Sequence, residues 1–348
     1  MNTSKFYITL ALALSISTLS YACTGISLKS KNNSTIVART IEWAASDMNP
    51  YCVLVPAGHT SAQLSYKVRY SYTGLAAYDP QYVLEGLNEK GLSAGLFYFP
   101  GCGKYPDPSK ALGKTKLYDV ELVSYILANC SSLEEVKECI RGLYIQSMDP
   151  NAPTVHWRFI QKDGAQIVFE IIDGEYVFYD NPVGVLTNSP AFDYHLTNLN
   201  NYVNLTTGRS ADNNLGNMHL RSFSAGTALH GLPGDFSSPS RFVRASFASN
   251  TAPILETTFE TVCQAFHIMN LFDIPVGMQI GQNETMIDIP SSTQFTVATD
   301  LQGLKLYYRT MYNSSIRCVD LSRINLKKST YTVMPLDKDR SESVEMLF

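Results

Sequence analysis

The sequence predicts an α+β protein in which two stacked sheets are covered by helices. Short runs that alternate apolar and polar residues fill residues 23–100, and similar runs return in 156–190. Apolar residues at helical spacing are concentrated in two blocks, 116–143 and 240–272. An order of strands, helices, strands and helices is typical of the α+β class. No repeat or Gly/Ser-rich linker interrupts residues 23–348, so we expect a single domain there.

The first predicted strands form a hairpin that begins at Cys23. The run "TGISLKS" alternates apolar and polar residues, "NNST" is a turn, and "TIVARTIEW" (35–43) is the second strand. Further strands are predicted in 51–58 and 66–78. A second hairpin, 83–101, turns at "NEKG".

Helices and strands alternate in the rest of the chain. The block "KLYDVELVSYILANC" (116–130) has helical spacing, and 131–143 starts with a serine cap and acidic residues, as helices do. Strands are predicted again in 156–164, 165–180 and 184–190.

The C-terminal part begins with a long polar stretch, residues 198–241. This stretch carries few secondary-structure signals, and its length for a loop points to a role in function or assembly. Helices are predicted in 240–249 and 258–272, followed by a closing hairpin in 293–321.

Residues 1–22 have the features of a secretory signal peptide. Lys5 supplies a short basic region, the apolar run 6–19 is too short to cross a membrane, and small residues precede Cys23 at −3 and −1. Cleavage there would make Cys23 the first residue. We therefore expect an exported protein, periplasmic or extracellular, without stable membrane insertion.

Charge and cysteine content exclude several classes of function. The net charge of −4 gives no basic footprint for nucleic acid. The seven cysteines include no zinc-ligand spacing, so we expect no metal. Their odd number leaves at least one thiol unpaired within the chain, and Cys23 is the natural candidate. The sequence leaves the state of the other six open.

A leading Cys23 would combine a nucleophile and a base in one residue. The thiolate is the reactive form of cysteine, and an α-amino group with a pKa of roughly 7.7–8.0 can take the thiol proton. No catalytic histidine and no cofactor would be needed. None of the six histidines lies in a recognisable catalytic motif, and we interpret them as structural or solvated.

Polar residues elsewhere could complete such a site. Arg39 and Glu42 lie on the strand that faces Cys23 and offer a cation for the sulfur and a carboxylate for the amine. Asn188, in "LTNSP", could donate a hydrogen bond to an oxyanion, and Arg241 begins a helix. Each also has a simpler interpretation, as a surface charge, a turn asparagine or a solvated helix arginine.

Six segments in order resemble the choloylglycine hydrolase family of N-terminal-nucleophile amidases, which contains bile salt hydrolases and penicillin V acylases. They are "CTGISL", "ARTIEW", "GLNEKGLSAGLFYFPG", "VLTNSPAFDYHLTNLNNY", "GLPGDFSSPSRFVRASF" and "MNLFDIPVG", running from residue 23 to 277. The resemblance implies a four-layer αββα sandwich of two antiparallel sheets. It also implies that 198–241 holds a homotetramer together.

The resemblance implies a role for each candidate residue. Cys23 matches the nucleophile, Arg39 the arginine beside it, Asn188 the oxyanion-hole asparagine and Arg241 the second active-site arginine. Glu42 departs from the family, which usually has aspartate at the position that holds the nucleophile. Tyr98 falls where penicillin V acylases carry tyrosine, in a segment whose backbone contributes to the oxyanion hole.

The function implied is hydrolysis of a linear amide with an apolar acyl group. Conjugated bile salts are the leading substrate class. Penicillin V and acyl-homoserine lactones are the alternatives, and Tyr98 favours penicillin V. A non-enzymatic alternative is a binding protein or a lipid-anchored surface protein on the same scaffold, with Cys23 as the acylated residue.

Overall fold

The computed structural model describes residues 22–43, 47–60, 66–279, 292–342 and 344–348. The predicted signal peptide lies outside these residues except for Ala22. Within the described part, two large antiparallel sheets lie between two layers of helices, as expected. No helix in these ranges is long and apolar enough to cross a membrane.

The described strands, in chain order, are β1 (Cys23–Lys29), β2 (Thr35–Trp43), β3 (Tyr51–Val55), β4 (Tyr72–Ala76), β5 (Val83–Asn88), β6 (Ser93–Tyr98), β7 (Thr115–Tyr118), β8 (Leu143–Gln146), β9 (Val155–Ile160), β10 (Gln166–Ile172), β11 (Glu175–Asp180), β12 (Asn213–Leu215), β13 (Met218–Leu220), β14 (Ser292–Asp300), β15 (Lys305–Thr310), β16 (Asn313–Asp320) and β17 (Thr332–Pro335). The described α-helices are α1 (Leu122–Asn129), α2 (Leu133–Arg141), α3 (Phe192–Asn198), α4 (Ser238–Thr251) and α5 (Thr258–Met269).

The two sheets differ in size and in how the chain builds them. The smaller has the order β1-β2-β14-β15-β16, so the N-terminal hairpin pairs with the C-terminal strands. The larger has the order β11-β10-β9-β6-β5-β4-β3-β17. Strands β2 and β14 are buried along almost their whole length because they lie inside the smaller sheet and are covered on both faces.

Clusters of buried apolar residues hold the layers together. Helices α4 and α5 pack on the outer face of the smaller sheet, and α1 and α2 pack on the larger. Between the sheets, Ile41 and Phe295 of the smaller sheet pack against Cys52 and Leu75 of the larger. Burial of apolar side chains of this size stabilises each by about 1.5–3 kcal/mol relative to exposure.

Helix caps explain where two of the predicted helices begin. Ser132 accepts a hydrogen bond from the backbone of Glu135 at the start of α2, and Thr257 and Glu260 form a capping box at the start of α5. Both starts agree with the sequence prediction.

Three predicted elements are wrong in part. The segment 184–190 forms a single bridge, between Leu186 and Gly25, because side chains rather than a neighbouring strand bond to the backbone that follows it: His156 contacts the Thr187 carbonyl, and the Asn188 N–H donates to Ser238. The segment 116–130 starts as strand β7, which pairs with β8, and becomes an α-helix only at Leu122. The closing hairpin is a three-stranded meander, β14 to β16.

The polar stretch 198–241 carries a short structure that the sequence pattern did not predict. Its hairpin, β12 and β13, is exposed along its whole length. The exposed side chains include three large apolar ones: Leu215 and Met218 in the hairpin, and Phe223 after it, which is 99% exposed. We call residues 203–237 the arm.

Candidate active site

Cys23 lies at the start of β1, against Ile41 of β2, with 3% of its surface exposed. In this chain it is still joined to Ala22, so its nitrogen is a peptide N–H rather than a free amine. That N–H donates to Asn188 Oδ1 at 2.8 Å. The Ala22 carbonyl accepts from the backbone N–H of Glu42 at 3.1 Å, which fixes the nucleophile candidate from both sides.

Arg39 reaches the sulfur from the neighbouring strand. Its Nη2 donates to Cys23 Sγ at 3.1 Å, and its Nη1 donates to the Leu96 carbonyl at 2.8 Å. The Nη1 group also lies 3.2 Å from Glu85 Oε2, and the guanidinium stacks 3.8 Å above the Phe97 ring. These contacts orient a buried cation towards the thiol.

Asn188 connects the nucleophile to the larger sheet. Its Oδ1 accepts from Cys23 N and, at 2.8 Å, from Arg241 Nη2. Because arginine only donates, this contact fixes the orientation of the amide. The Nδ2 group donates to the Tyr98 carbonyl at 2.8 Å, and its second hydrogen is not used in that bond.

Arg241 closes the other side of Cys23. It lies in the first turn of helix α4 and is 2% exposed. Its Nη1 donates to the Cys23 carbonyl at 2.5 Å and to the Thr24 hydroxyl at 2.7 Å. The arginine therefore fixes the backbone of the nucleophile candidate and the amide of Asn188 at once.

Glu42 lies in the same cavity, but its carboxylate does not bond to Cys23. Its Oε1 accepts from the Thr293 hydroxyl at 2.9 Å, and its Oε2 is buried with no hydrogen-bond partner among the described residues. Burial raises the pKa of Glu42 to about 7, and the Arg241 cation opposes this rise. A role in holding the nucleophile stays a prediction.

The electrostatic setting of the Cys23 thiol is mixed. Burial raises its pKa, because the thiolate loses hydration, and the negative charge of Glu42 adds to the rise. The Arg39 and Arg241 cations act in the opposite direction and stabilise the thiolate.

A cavity of about 360 Å³ opens onto Cys23 and is bounded by both sheets and several loops. Most of its wall is apolar or aromatic. Tyr98 lines it and packs against Trp43, with ring centroids 5.5 Å apart. The Tyr98 carbonyl accepts from Asn188. The backbone group of Tyr98 that could donate to an oxyanion is its N–H, and that role stays a prediction. The other lining residues include Ile41, Met48, Leu84, Leu96, Val120, Met148 and Val155.

Two buried histidines support the segment that carries Asn188. His195 contacts the Asn188 carbonyl through Nε2 at 2.8 Å, and burial lowers its pKa to about 4. His156 lies 2.9 Å from Glu170 and 3.2 Å from the Thr187 carbonyl. Both contacts are structural, in agreement with the interpretation of the histidines.

Sequence reasoning missed three polar residues around the site: Thr24, Glu85 and Arg158. The signal that could have found the last two is a charged residue inside a mostly apolar strand, "VLEGLN" and "VHWRFI". In the described part of the chain, no group of three or more His, Cys, Asp or Glu side chains could hold a metal ion.

Comparison with known proteins adds a family to this geometry. Residues 23–342 match the family of linear amide C–N hydrolases, choloylglycine hydrolase family. The chain is 32% identical over 314 residues to a bile salt hydrolase/transferase of Clostridium perfringens, covering 87% of this chain and 94% of that one. It is 34% identical over 281 residues to a bile salt hydrolase/transferase of Lactiplantibacillus plantarum, covering 79% and 83%.

Solved structures share the fold. A variant of conjugated bile acid hydrolase from Clostridium perfringens aligns with a TM-score of 0.81 and 29% identity, covering 94% of this chain and all of that one. Penicillin V acylase from Agrobacterium tumefaciens aligns with a TM-score of 0.72 and 23% identity, covering 89% and 90%, which is a likeness of fold. The chain therefore belongs to the choloylglycine hydrolase family of linear amide C–N hydrolases.

Proposed function

We propose that this enzyme is an exported cysteine amidase that removes glycine or taurine from conjugated bile salts. The observation that carries the proposal is the position of Cys23. Its sulfur lies at the inner end of an apolar cavity, 3.1 Å from the Arg39 guanidinium. An acyl group in the cavity would present its amide carbonyl to this sulfur.

The reaction begins once Cys23 is the first residue. Its α-amine takes the thiol proton, and Sγ attacks the amide carbonyl to form a C–S bond. The tetrahedral intermediate collapses as the C–N bond breaks, and the leaving nitrogen takes the proton from the α-ammonium. Water, deprotonated by the same amine, then hydrolyses the thioester and regenerates the thiol.

The oxyanion needs donors that are in place before the reaction. The second Nδ2 hydrogen of Asn188 and the backbone N–H of Tyr98 are the proposed donors, and the former is oriented by Arg241. Arg39 stabilises the thiolate before attack. Glu42, whose Oε2 has no partner among the described residues, is the proposed partner of the α-ammonium.

The choice of bile salts depends on the cavity and on the relatives. The apolar wall suits a steroid acyl group, and the two relatives compared above are both bile salt hydrolase/transferases. Tyr98, which lines the cavity, keeps penicillin V as the second candidate. Acyl-homoserine lactones are the third.

Export and assembly are further parts of the proposal. Cleavage before Cys23 during export would expose the catalytic amine.

We also propose that the arm joins four copies of the chain, because it carries the exposed apolar residues Leu215, Met218 and Phe223. Light scattering at several concentrations would measure the mass of the assembly.

The test compares kcat/KM on glycocholate and penicillin V for the processed enzyme and for Cys23→Ala. We expect a large preference for glycocholate and no turnover by the variant. A preference for penicillin V would overturn the substrate assignment, and full activity of Cys23→Ala would overturn the mechanism. Mass spectrometry of the mature N-terminus separates the non-enzymatic alternative, since a diacylglycerol on Cys23 would block the nucleophile.

A further inference from the structure

A layer of buried charge lies behind the nucleophile, between the two sheets. Glu85 is 1% exposed, and its two carboxylate oxygens face two different arginines. Oε2 lies 3.2 Å from Arg39 Nη1, and Oε1 lies 3.6 Å from Arg158 Nη2. Arg158 is also 1% exposed, and its Nη1 donates to the Ile26 carbonyl at 3.4 Å.

The strand registers explain how these side chains meet. Glu85 on β5 pairs with Gly95 on β6, and Gly95 pairs with Arg158 on β9. The three positions therefore form one row across the larger sheet. In the smaller sheet, Arg39 pairs with Gly25, two residues after the nucleophile.

Gly25 and Gly95 leave space for the charged side chains, because neither has a side chain of its own. A Cβ on Gly25 would overlap Arg158 Nη1 and would lie 2.9 Å from the Phe97 ring. A Cβ on Gly95 would overlap Glu85 Oε2 and would lie 3.3 Å from Arg39 Nη1. Neither glycine has the positive φ that would explain it by backbone conformation. Space for the charged layer is what these two positions provide.

We propose that Glu85 and Arg158 are positioning residues that hold the Arg39 guanidinium against the Cys23 sulfur, in the space left by Gly25 and Gly95. Neither residue lines the cavity, so neither contacts a substrate there. Their effect passes through Arg39. Glu85 orients Arg39 and partly neutralises it, and Arg158 balances the charge of Glu85, so that Arg39 stays available to the thiolate.

If Glu85 and Arg158 act through their charges, replacing either one should change the pKa of Cys23. If they only fill space, it should not. Replacing Arg158 by Met removes a cation and leaves Glu85 to pair with Arg39 alone, so the thiolate is less stabilised and the pKa of Cys23 rises. Replacing Glu85 by Gln removes an anion beside Arg39, so the pKa of Cys23 falls. The double variant removes both charges and returns the balance to that of the wild type.

The experiment measures the rate of alkylation of Cys23 by iodoacetamide between pH 5 and 9. It uses the processed wild-type chain, Glu85→Gln, Arg158→Met, the double variant and Arg158→Lys. Mass spectrometry of the Cys23 peptide separates this thiol from the other six. The thiolate is the reacting form, so the midpoint of the profile reports its pKa.

We expect midpoints shifted by roughly one unit in opposite directions for the two single variants, which is about a tenfold change in thiolate fraction at low pH. The double variant and Arg158→Lys should lie near the wild type. Shifts in the same direction, absent shifts, or a double variant worse than either single variant would reduce the layer to a packing role. If Arg158→Met does not fold, Glu85→Gln, the double variant and Arg158→Lys still decide the question.

This inference rests on the proposed function, in which Cys23 is the nucleophile, but its test is separate. Alkylation needs no substrate, so it reports on Arg39 even if the acyl group has been assigned wrongly. The activity of Cys23→Ala tests the mechanism. The opposite shifts of the alkylation midpoint in Glu85→Gln and Arg158→Met test the positioning role. Either can fail while the other holds.

Discussion

The inner and outer parts of the cavity are built in different ways. At the inner end, Cys23, Arg39 and Glu42 stand on two hydrogen-bonded strands, so register fixes their relative positions. At the outer end, loops supply much of the wall, and side chains such as Tyr78 and Met148 are 51% and 42% exposed. We therefore expect substitutions at the inner end to affect the reaction, and substitutions at the outer end to affect the choice of acyl group.

Among the residues that surround Cys23 at the inner end, the largest effect is expected at Asn188. Asn188→Ala removes the amide that accepts from Cys23 and Arg241 and that we propose donates to the oxyanion. Loss of one oxyanion donor lowers kcat by on the order of 10²–10³. Steady-state kinetics on glycocholate and penicillin V should give a similar factor for both. A fall in kcat with only one of the two substrates would mean that Asn188 acts in substrate selection, as the outer wall does, rather than in the reaction.

The next effect concerns pH and the buried carboxylate of Glu42. Burial raises its pKa from the ordinary 4.5 to about 7. Between those values the folded state holds a proton that the unfolded chain has released, so stability falls as pH rises through this window. The fall is at most about 3 kcal/mol, and it levels off above pH 7.

Urea unfolding of the unprocessed chain and of Glu42→Gln at pH 4.5 and pH 7 measures this fall. The difference in unfolding free energy between the two chains should change with pH, because the amide does not titrate. In the processed chain, an ammonium on Cys23 would offset the burial of Glu42 and reduce the fall. An equal pH dependence in wild type and Glu42→Gln would show that folding does not change the pKa of this carboxyl group.

The sequence could predict the parts of the site that depend on local signals, and it could not predict those that depend on distant contacts. The hairpin of β1 and β2 was predictable, because the alternation of "TGISLKS" and the turn "NNST" are local signals. Register then placed Arg39 and Cys23 on neighbouring strands. The strand predicted at 184–190 was wrong in part. Asn188 within it reaches Cys23, but its position depends on Arg241 and Tyr98, far away in the chain.

Tertiary contacts decided what local patterns could not. The strand pattern marks Arg158 as a charge among mostly apolar residues, but it does not identify the partner, because Glu85 is 73 positions away in the sequence. Their meeting depends on the order β5-β6-β9, in which β7, α1, α2 and β8 separate β6 from β9 in the sequence. The outer wall was equally hidden, because its loops carry no periodic signal.

The smallest effect is expected at the outer wall of the cavity. Met148→Ala removes apolar surface that a long acyl group would contact, while the bonds around Cys23 stay intact. Contact made equally in the ground and transition states changes KM and leaves kcat unchanged. Because Met148 is already 42% exposed, the rise in KM should be modest, roughly three- to tenfold.

Met334→Ala is the matched control for Met148→Ala. Met334 is 48% exposed, lies on β17 and does not line the cavity, so the same loss of side chain should leave KM unchanged. Kinetics with both substrates separates two outcomes. A larger rise for the bulkier acyl group would mean that the outer wall selects the substrate by contact area. A fall in kcat without a change in KM would mean instead that Met148 affects the reaction at Cys23. The inner and outer parts of the cavity would then not act separately.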